Sequence, residues 1–469
     1  MRDVNQQPAE GNLDVGSSHS DAGSLGRRQF LGVAGAVVGG LALGSGLTRA
    51  AASTLPRISV REHQQDAPST STITVALLGA SAVGKKLWNA AFAGFQKDVP
   101  GIKVNPLYVT ANNWVEFFSD LETRIAGGQS VDAADIPTEG QRLFMTRGIL
   151  EPLDPYIAAN KSYVDELYAD INPFMLKGFQ QHSATLHGHT YYLPAWFNTT
   201  LLLYSKKLFH NAKVPEPSPN WTWADFKKVC QQLSNTSQHR YGVLLNIDVW
   251  GGFEPWCTTN GAQLMNSTWT APAIDSPATI EAFNFCRSLV ANKLAPVPSL
   301  TANGLELMST GNVAMMNAGA VAGATLTDYQ MSLDEVGLVP YPIGKRHGSS
   351  VGIGTFAMFK SSKNKDAVWK LIQWITNKTQ QAAGGGGSIT VGQLPIRTSA
   401  SRSPELLKQL PAGSQYYWSM LSYSQFVPGT NNATAMEGAM DQEWTSMLTG
   451  ALSPAACAKQ MATSITKYL

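Results

Sequence analysis

The feature that most constrains the fold is an alternation of two hydrophobic periodicities over residues 73 to 136. "ITVALLG" is a continuous apolar run ending in glycine, as expected of a strand buried on both faces. Lys85 to Lys97 follows, with Leu87, Trp88, Ala91, Phe92 and Phe95 at helical spacing, and Pro100-Gly101 ends it. "IKVNPLYV" predicts a second strand, Trp114 to Ala126 a second helix closed by Gly127-Gly128, and "VDAADI" a third strand. Strands alternating with helices in this way form a mainly parallel sheet flanked by helices, an α/β fold. In such sheets ligands sit at the carboxyl ends of the strands. That rule singles out Ala80-Ser81 after the first strand and Thr138-Glu139 after the third.

The turn after the first strand, "GASAVGKK", comes close to the phosphate-cradling pattern G-x-x-x-x-G-K-[ST]. Its last position is Lys86, where that motif needs a hydroxyl to ligate Mg²⁺, and a cation cannot ligate a cation. The alternative is a strand-to-helix turn that offers backbone N–H groups and small side chains to another polar ligand.

The N-terminus argues the same way. "GRRQFLGVAGAVVGGLALGSGLTRAAAS" joins Arg27-Arg28 to a mildly apolar, Gly-rich run and then to Ala50-Ala51-Ala52, a small-x-small cleavage site. The run is short and Gly-diluted for a bilayer span of roughly 20 residues. Residues 1–52 are therefore expected to be a leader and twin-arginine signal peptide, and 53–72 a flexible linker, with the folded chain starting near Ile73. No cysteine lies near the cleavage site to carry a lipid. The chain is expected to be exported in a folded state by the twin-arginine route, to the cell surface, the periplasm or the medium, where ATP is scarce.

Only 14% of residues are charged, the net charge is +2, and no long basic run occurs, so the electrostatic footprint of a nucleic-acid binder is missing. Cys230, Cys257, Cys286 and Cys457 fit no zinc spacing. Export permits a disulfide, while a chain this long can equally keep them as buried thiols. His187-Gly-His189 lacks a third ligand at suitable spacing, no G-x-S-x-G elbow occurs, and no cofactor or metal is expected. Of the 12 tryptophans, Trp196, Trp250, Trp256 and Trp418 stand in segments broken by Gly, Pro, Asn or Ser. Such rings stack on the C–H faces of sugars, with core packing the alternative for each. Gly384 to Gly387 suggests a close backbone approach or a flexible turn.

Several segments then fall into one order. "YYLPAWFNTTLLLYSKKLF", "PNWTWADF", "NGAQLM", "MSTGNVAMMNAG", "VGIGTFAMFKSSKNKDAVWKLIQWIT" and "GQLPIRTSA" follow one another along the chain. Together they resemble the lobe crossings, loops and strands of family 1 extracellular solute-binding proteins, the maltose-binding-protein-like receptors of ABC importers. The resemblance covers residues 73 to 469.

It implies two α/β lobes joined by three hinge crossings, near 197–201, 351–357 and 399–405. The N-lobe would comprise 73–197 and 357–400, and the C-lobe 201–352 and 405–469. It also implies a ligand site. Ser81 lies in the first strand-helix turn, Glu139 at a polar N-lobe position, Asn198 just after the Leu-Pro segment with Trp196 beside it, and Trp250 in a loop of sugar-stacking aromatics. Gly319 falls in the turn after the Ala-Met strand, with Ala320-Val321 where the family often carries a stacking Trp. Arg397 falls in a loop that often reaches the cleft, and an Arg there suits hydroxyl pairs or a phosphate. The function implied is capture of a carbohydrate or related polyol by hinge closure, without a chemical step and so not as an enzyme. The partners would be the solute and membrane permease subunits, with the receptor itself a monomer. A receptor for a sugar phosphate or glycerol phosphate diester, an exported glycoside hydrolase with two facing carboxylates, and a sugar-binding adhesion module are the alternatives.

Overall fold

The computed structural model describes residues 70–79, 82–111, 113–299, 303–321, 323–383 and 393–469. The leader and signal region, most of the 53–72 linker, Ser81 and the Gly384 to Gly387 run lie outside the described residues.

Strand β1 (Ser71–Leu78) begins two residues before Ile73 and is followed by helix α1 (Ala82–Asp98), strand β2 (Ile102–Val109), helix α2 (Trp114–Ala126), strand β3 (Ala133–Pro137) and helix α3 (Thr138–Thr146). β1 pairs in parallel with β2, from Ser71 opposite Ile102 to Leu78 opposite Val109, and with β3 at Val75–Ala133 and Ala76–Ala134. The apolar stripe of α1 buries Trp88, Ala91, Phe92 and Phe95, and α2 buries Phe117, Phe118 and Leu121. These are the positions that the 3.6-residue period selects for the sheet-facing side. α2 starts where the side chain of Asn113 accepts the Glu116 N–H at 2.9 Å, leaving its first turn at the carboxyl edge of the sheet.

β1, β2 and β3 belong to a seven-stranded sheet that also contains Pro194–Thr199, Ser349–Met358, Leu394–Pro395 and Ser424–Phe426. A second sheet of four strands orders Val336–Val339, Leu201–Ser205, Val313–Ala318 and Tyr241–Leu244. There are two apolar cores, and the larger one also takes in Leu201, Leu203, Ala318, Val336 and Leu338 of the smaller sheet. The larger core includes Phe95, Phe118, Phe356 and Trp374, and the other includes Phe226, Trp256, Phe283 and Trp444.

The chain leaves the larger sheet for the smaller at Thr200, with one residue between the strands. It returns between Val339 and Ser349. Strand Ser349–Met358 is hydrogen-bonded to the larger sheet along its whole length, including residues 349–352, which the sequence pattern grouped with the second lobe. Two serines, Ser349 and Ser350, open the strand. Their polarity is absorbed locally: Thr199 Oγ1 donates to the Ser350 carbonyl at 2.7 Å, Ser349 Oγ donates to the Thr200 carbonyl at 2.6 Å, and the Ser350 N–H donates to Thr200 Oγ1 at 3.1 Å. The Ser349 hydroxyl and the Ser350 backbone satisfied in this way, with Ser350 Oγ left without a partner among the described residues, let a polar segment occupy a fully buried strand.

All four cysteines are buried and unpaired. Their thiols are pushed up from the usual range, first of all by burial.

Candidate functional site

A cavity of about 320 Å³ is lined on one side by the larger sheet and the helix starts that follow its strands, and on the other by the turn after strand Tyr241–Leu244 and helix Ala433–Thr449. Its floor comes from two antiparallel strands whose register sets Trp196 opposite Gly354 and Asn198 opposite Gly352. The ring of Trp196 lies over Gly354 so closely that a Cβ there would stand 1.7 Å from Trp196 Cε2, so only glycine admits the indole. Its Nε1–H donates to Asp135 Oδ1 at 2.8 Å, and Gln393 Nε2 donates to Asp135 Oδ2 at 2.8 Å. Trp114, in the first turn of α2, stacks on Trp196 with centroids 6.3 Å apart and planes at 23°.

Asn198 joins this floor to the second sheet: its Oδ1 accepts the Ala320 N–H at 2.9 Å and the Thr199 N–H at 3.0 Å. Glu139 enters from the first turn of α3, directly after β3. That helix is pinned by Thr138, whose Oγ1 accepts the Ile353 N–H at 2.7 Å. Glu139 is buried and its Oε2 has no hydrogen-bond partner.

The opposite wall is the turn after strand Tyr241–Leu244. Asp248 Oδ1 accepts the Gly251 N–H at 2.5 Å and starts a short π-helical turn, Val249–Phe253, that presents Trp250 to the cavity. The Trp250 ring sits over Gly352, where an added Cβ would be 3.3 Å from Cζ3. Helix Ala433–Thr449 completes this side with Glu437 and Asp441, four residues apart and so on one face.

With that geometry in view, relatives can be compared. The sequence pattern of the family described as bacterial extracellular solute-binding protein matches residues 79–382. The chain belongs to this family. A binding protein of Brucella abortus is 26% identical over 299 residues, which span 61% of this chain and 68% of that protein. The maltotriose-binding protein of Pyrococcus abyssi is 23% identical over 295 residues, 61% of this chain and 59% of that protein. Among solved structures, an ABC substrate-binding protein of Listeria monocytogenes in complex with cycloalternan superposes with a TM-score of 0.74 at 22% identity, covering 85% of this chain and 98% of that one. This extracellular solute-binding protein therefore has the two-lobed periplasmic-binding-protein fold.

Of the residues that the sequence singled out in this family member, Glu139, Trp196, Asn198 and Trp250 all line the cavity. Gly319 stands behind Asn198: a Cβ at 319 would lie 2.5 Å from Asn198 Nδ2. Ser81 lies outside the described residues, although Leu78, at the end of β1, reaches the lining. Arg397 is elsewhere. It is fully buried, donates two hydrogen bonds to Glu166 at 2.9 and 3.0 Å and one to the Thr376 carbonyl at 2.7 Å, and also contacts Asp170. Four of the five guanidinium N–H donors are committed in this way, and Arg397 is not part of the cavity lining. The near-phosphate motif is likewise engaged otherwise. α1 starts at Ala82, inside the motif, the Lys85 carbonyl accepts from Tyr108 Oη at 2.9 Å, and Lys85 Nζ lies 5.8 Å from the Tyr108 ring centroid. Trp256 and Trp418 pack against aromatic neighbours, Trp256 fully buried among Phe226, Phe285 and Tyr341.

Trp114, Asp248, Gln393, Glu437 and Asp441 line the cavity without having been anticipated. The Glu437/Asp441 pair had a signal in the sequence, two carboxylates at helical spacing amid Met and Ala. Nothing in the sequence pointed to which lobe it faced.

Among the described residues the lining contains no Lys, Arg or His. Burial pushes Asp135 and Glu139 up to about 7 and Asp441 up to about 8, and Glu437 and Glu254 well above the usual carboxylate range. Repulsion from Asp248 adds to the effect on Glu139 and Asp441. Groups raised in this way hold a proton in the folded state that they lack when unfolded at the same pH. Folded-state stability is therefore highest near pH 4 to 5 and declines as pH rises through about 7 to 8. Glu166, lowered by Arg397, contributes the opposite dependence but only on acidification below the usual carboxylate range. The ligand-free protein should thus melt at a lower temperature at about pH 8 than at about pH 5. Scanning calorimetry across that range checks this, and a flat or rising profile contradicts it.

Proposed function

We propose that this solute-binding protein is an exported, monomeric receptor that captures a carbohydrate or related polyol and presents it to the permease subunits of an ABC importer. The observation that carries the proposal is the cavity itself: the indoles of Trp250, Trp196 and Trp114 line it together with the carboxyl groups of Glu139, Asp248, Glu437 and Asp441. Apolar C–H faces of a sugar suit the rings, and its hydroxyls suit acceptors that are desolvated and short of partners. The maltotriose and cycloalternan named for two similar proteins are of the same chemical class. A sugar phosphate or a phosphate diester fits less well, because among the described residues no cationic side chain lines the cavity and Arg397 is already paired.

In this reading the lobes are the segments built around the two sheets, and the solute bridges them. Glu139 and Trp196 would hold it from one side and Trp250, Asp248 and Glu437 from the other, so that binding favours the closed arrangement. Export by the twin-arginine route, without a lipid anchor, is part of the same proposal and rests on Arg27-Arg28 and the following apolar run.

A thermal-shift screen over neutral sugars, sugar phosphates and polyols identifies a ligand, because a solute that binds only the folded state raises the melting temperature. With that ligand, Trp250→Ala should weaken binding about thirtyfold, the equivalent of about 2 kcal/mol, at nearly unchanged ligand-free stability. Trp256→Ala is the control: a core Trp should cost about 3 to 5 kcal/mol of folding stability. Titration calorimetry and melting curves on both variants decide it. A large loss of ligand-free stability in Trp250→Ala at unchanged affinity would remove Trp250 from the site.

For export, Arg27→Lys combined with Arg28→Lys should leave precursor inside the cell, measured by fractionation and immunoblotting. Undiminished export of that double variant overturns the twin-arginine assignment.

A further inference from the structure

Four carboxylates in one cavity exceed what a neutral sugar needs. Glu139, Asp248, Glu437 and Asp441 line about 320 Å³. Among the described residues none of the four is in a salt bridge, and the lining holds no cationic side chain. The undescribed segments between 70 and 469 contain no Lys, Arg or His, so they supply no counter-charge either. The acidic groups act on one another: Glu437 is raised by burial and then by Glu139, Asp441, Asp248 and Glu254, and no positive charge offsets this.

Among the described residues four buried acceptors on this lining have no partner; Asp441 Oδ1 is one, and the other three are Glu139 Oε2, Glu437 Oε1 and Gln393 Oε1. The residues of these last three are 7%, 9% and 5% exposed. Gln393 is not part of the acidic group. Its amide is fixed by donation to Asp135, which leaves its oxygen as a further acceptor on the cavity wall. Leaving such atoms unmatched is costly, so a bound solute is expected to bring donors to them. A metal ion does not fit this arrangement, since among the described residues no three of His, Cys, Asp or Glu are disposed to hold one.

We propose that the solute is a polyhydroxylated cation, a carbohydrate or polyol bearing a protonated amine, held with its ammonium group among Glu139, Glu437 and Gln393 and against the Trp250 face. The ammonium supplies three N–H donors and one positive charge to an acidic, low-dielectric pocket, and Asp441 Oδ1, the fourth unpartnered acceptor, is left to a hydroxyl. Indole faces attract the same charge. The hydroxyls remain to be read by Asn198, Asp248 and Asp441. This inference rests on the proposed role of the cavity as the solute site.

The test is titration calorimetry at neutral pH with matched saccharides, mono- to tetrasaccharide, in three forms: glucosamine and its oligomers, their N-acetylated counterparts, and the glucose oligomers. The free-amine members should bind about tenfold or more tightly than either neutral form. Glu437→Gln and Glu139→Gln, which keep shape and remove charge, should abolish that preference without lowering the ligand-free melting temperature. Equal or tighter binding by neutral members overturns the amine assignment and leaves the carbohydrate receptor standing. A preference that survives both substitutions overturns it too. Binding by none of the three series counts against both readings.

Discussion

The antiparallel pairing of Pro194–Thr199 with Ser349–Met358 is the constraint on which the rest depends. These two strands, far apart in sequence, form the floor of the cavity and stand next to the passages between the sheets. Their register places a glycine opposite each of the two floor residues that face the solute space, Gly354 opposite Trp196 and Gly352 opposite Asn198. A slip of one residue would put side chains where the indoles of Trp196 and Trp250 now lie. The hydroxyls of Thr199, Thr200 and Ser349, together with the backbone of Ser350, tie the two segments to each other from inside.

From that floor, two walls of unlike origin rise. One consists of the starts of α2 and α3, placed by the parallel order of β1, β2 and β3. The other consists of the Asp248 turn and a late helix. Arg142 Nε donates to Asn431 Oδ1 at 3.2 Å where the walls meet beside the cavity. Holding Glu139 from one wall near Asp248, Glu437 and Asp441 from the other concentrates like charge in a dry space. Protonation relieves it in the ligand-free state, and opening would relieve it by returning the groups to water. A solute that brings donors relieves it in the closed state, which is the differential interaction that a population shift requires.

Much of this was legible in the sequence. The alternation over residues 73 to 136 matched β2 and α2 at both ends, while β1 starts two residues and α1 three residues before the positions read from the sequence. The order of later motifs carried the family. Glu139 was legible from the strand-end rule, Trp196 and Trp250 from the broken segments they stand in, and Asn198 only through the family resemblance. Arg397 was misleading for a physical reason: a loop position does not reveal whether a guanidinium faces solvent or a buried carboxylate, and Glu166 lies 231 residues away in sequence. Glu437 and Asp441 were invisible as cleft residues, because helix periodicity shows which residues share a face and never what that face meets. The start of the strand at Ser349 was obscured by its polar residues, whose partners are on another strand.

A crystal structure of the protein with the ligand found by screening tests the central claim most directly. The account predicts the solute in the cavity between the two walls, a ring or carbon chain packed on Trp250 and donors within about 3 Å of Glu139 and Glu437. A solute bound elsewhere on the molecule, with that cavity still lacking it at saturating concentration, would contradict the account.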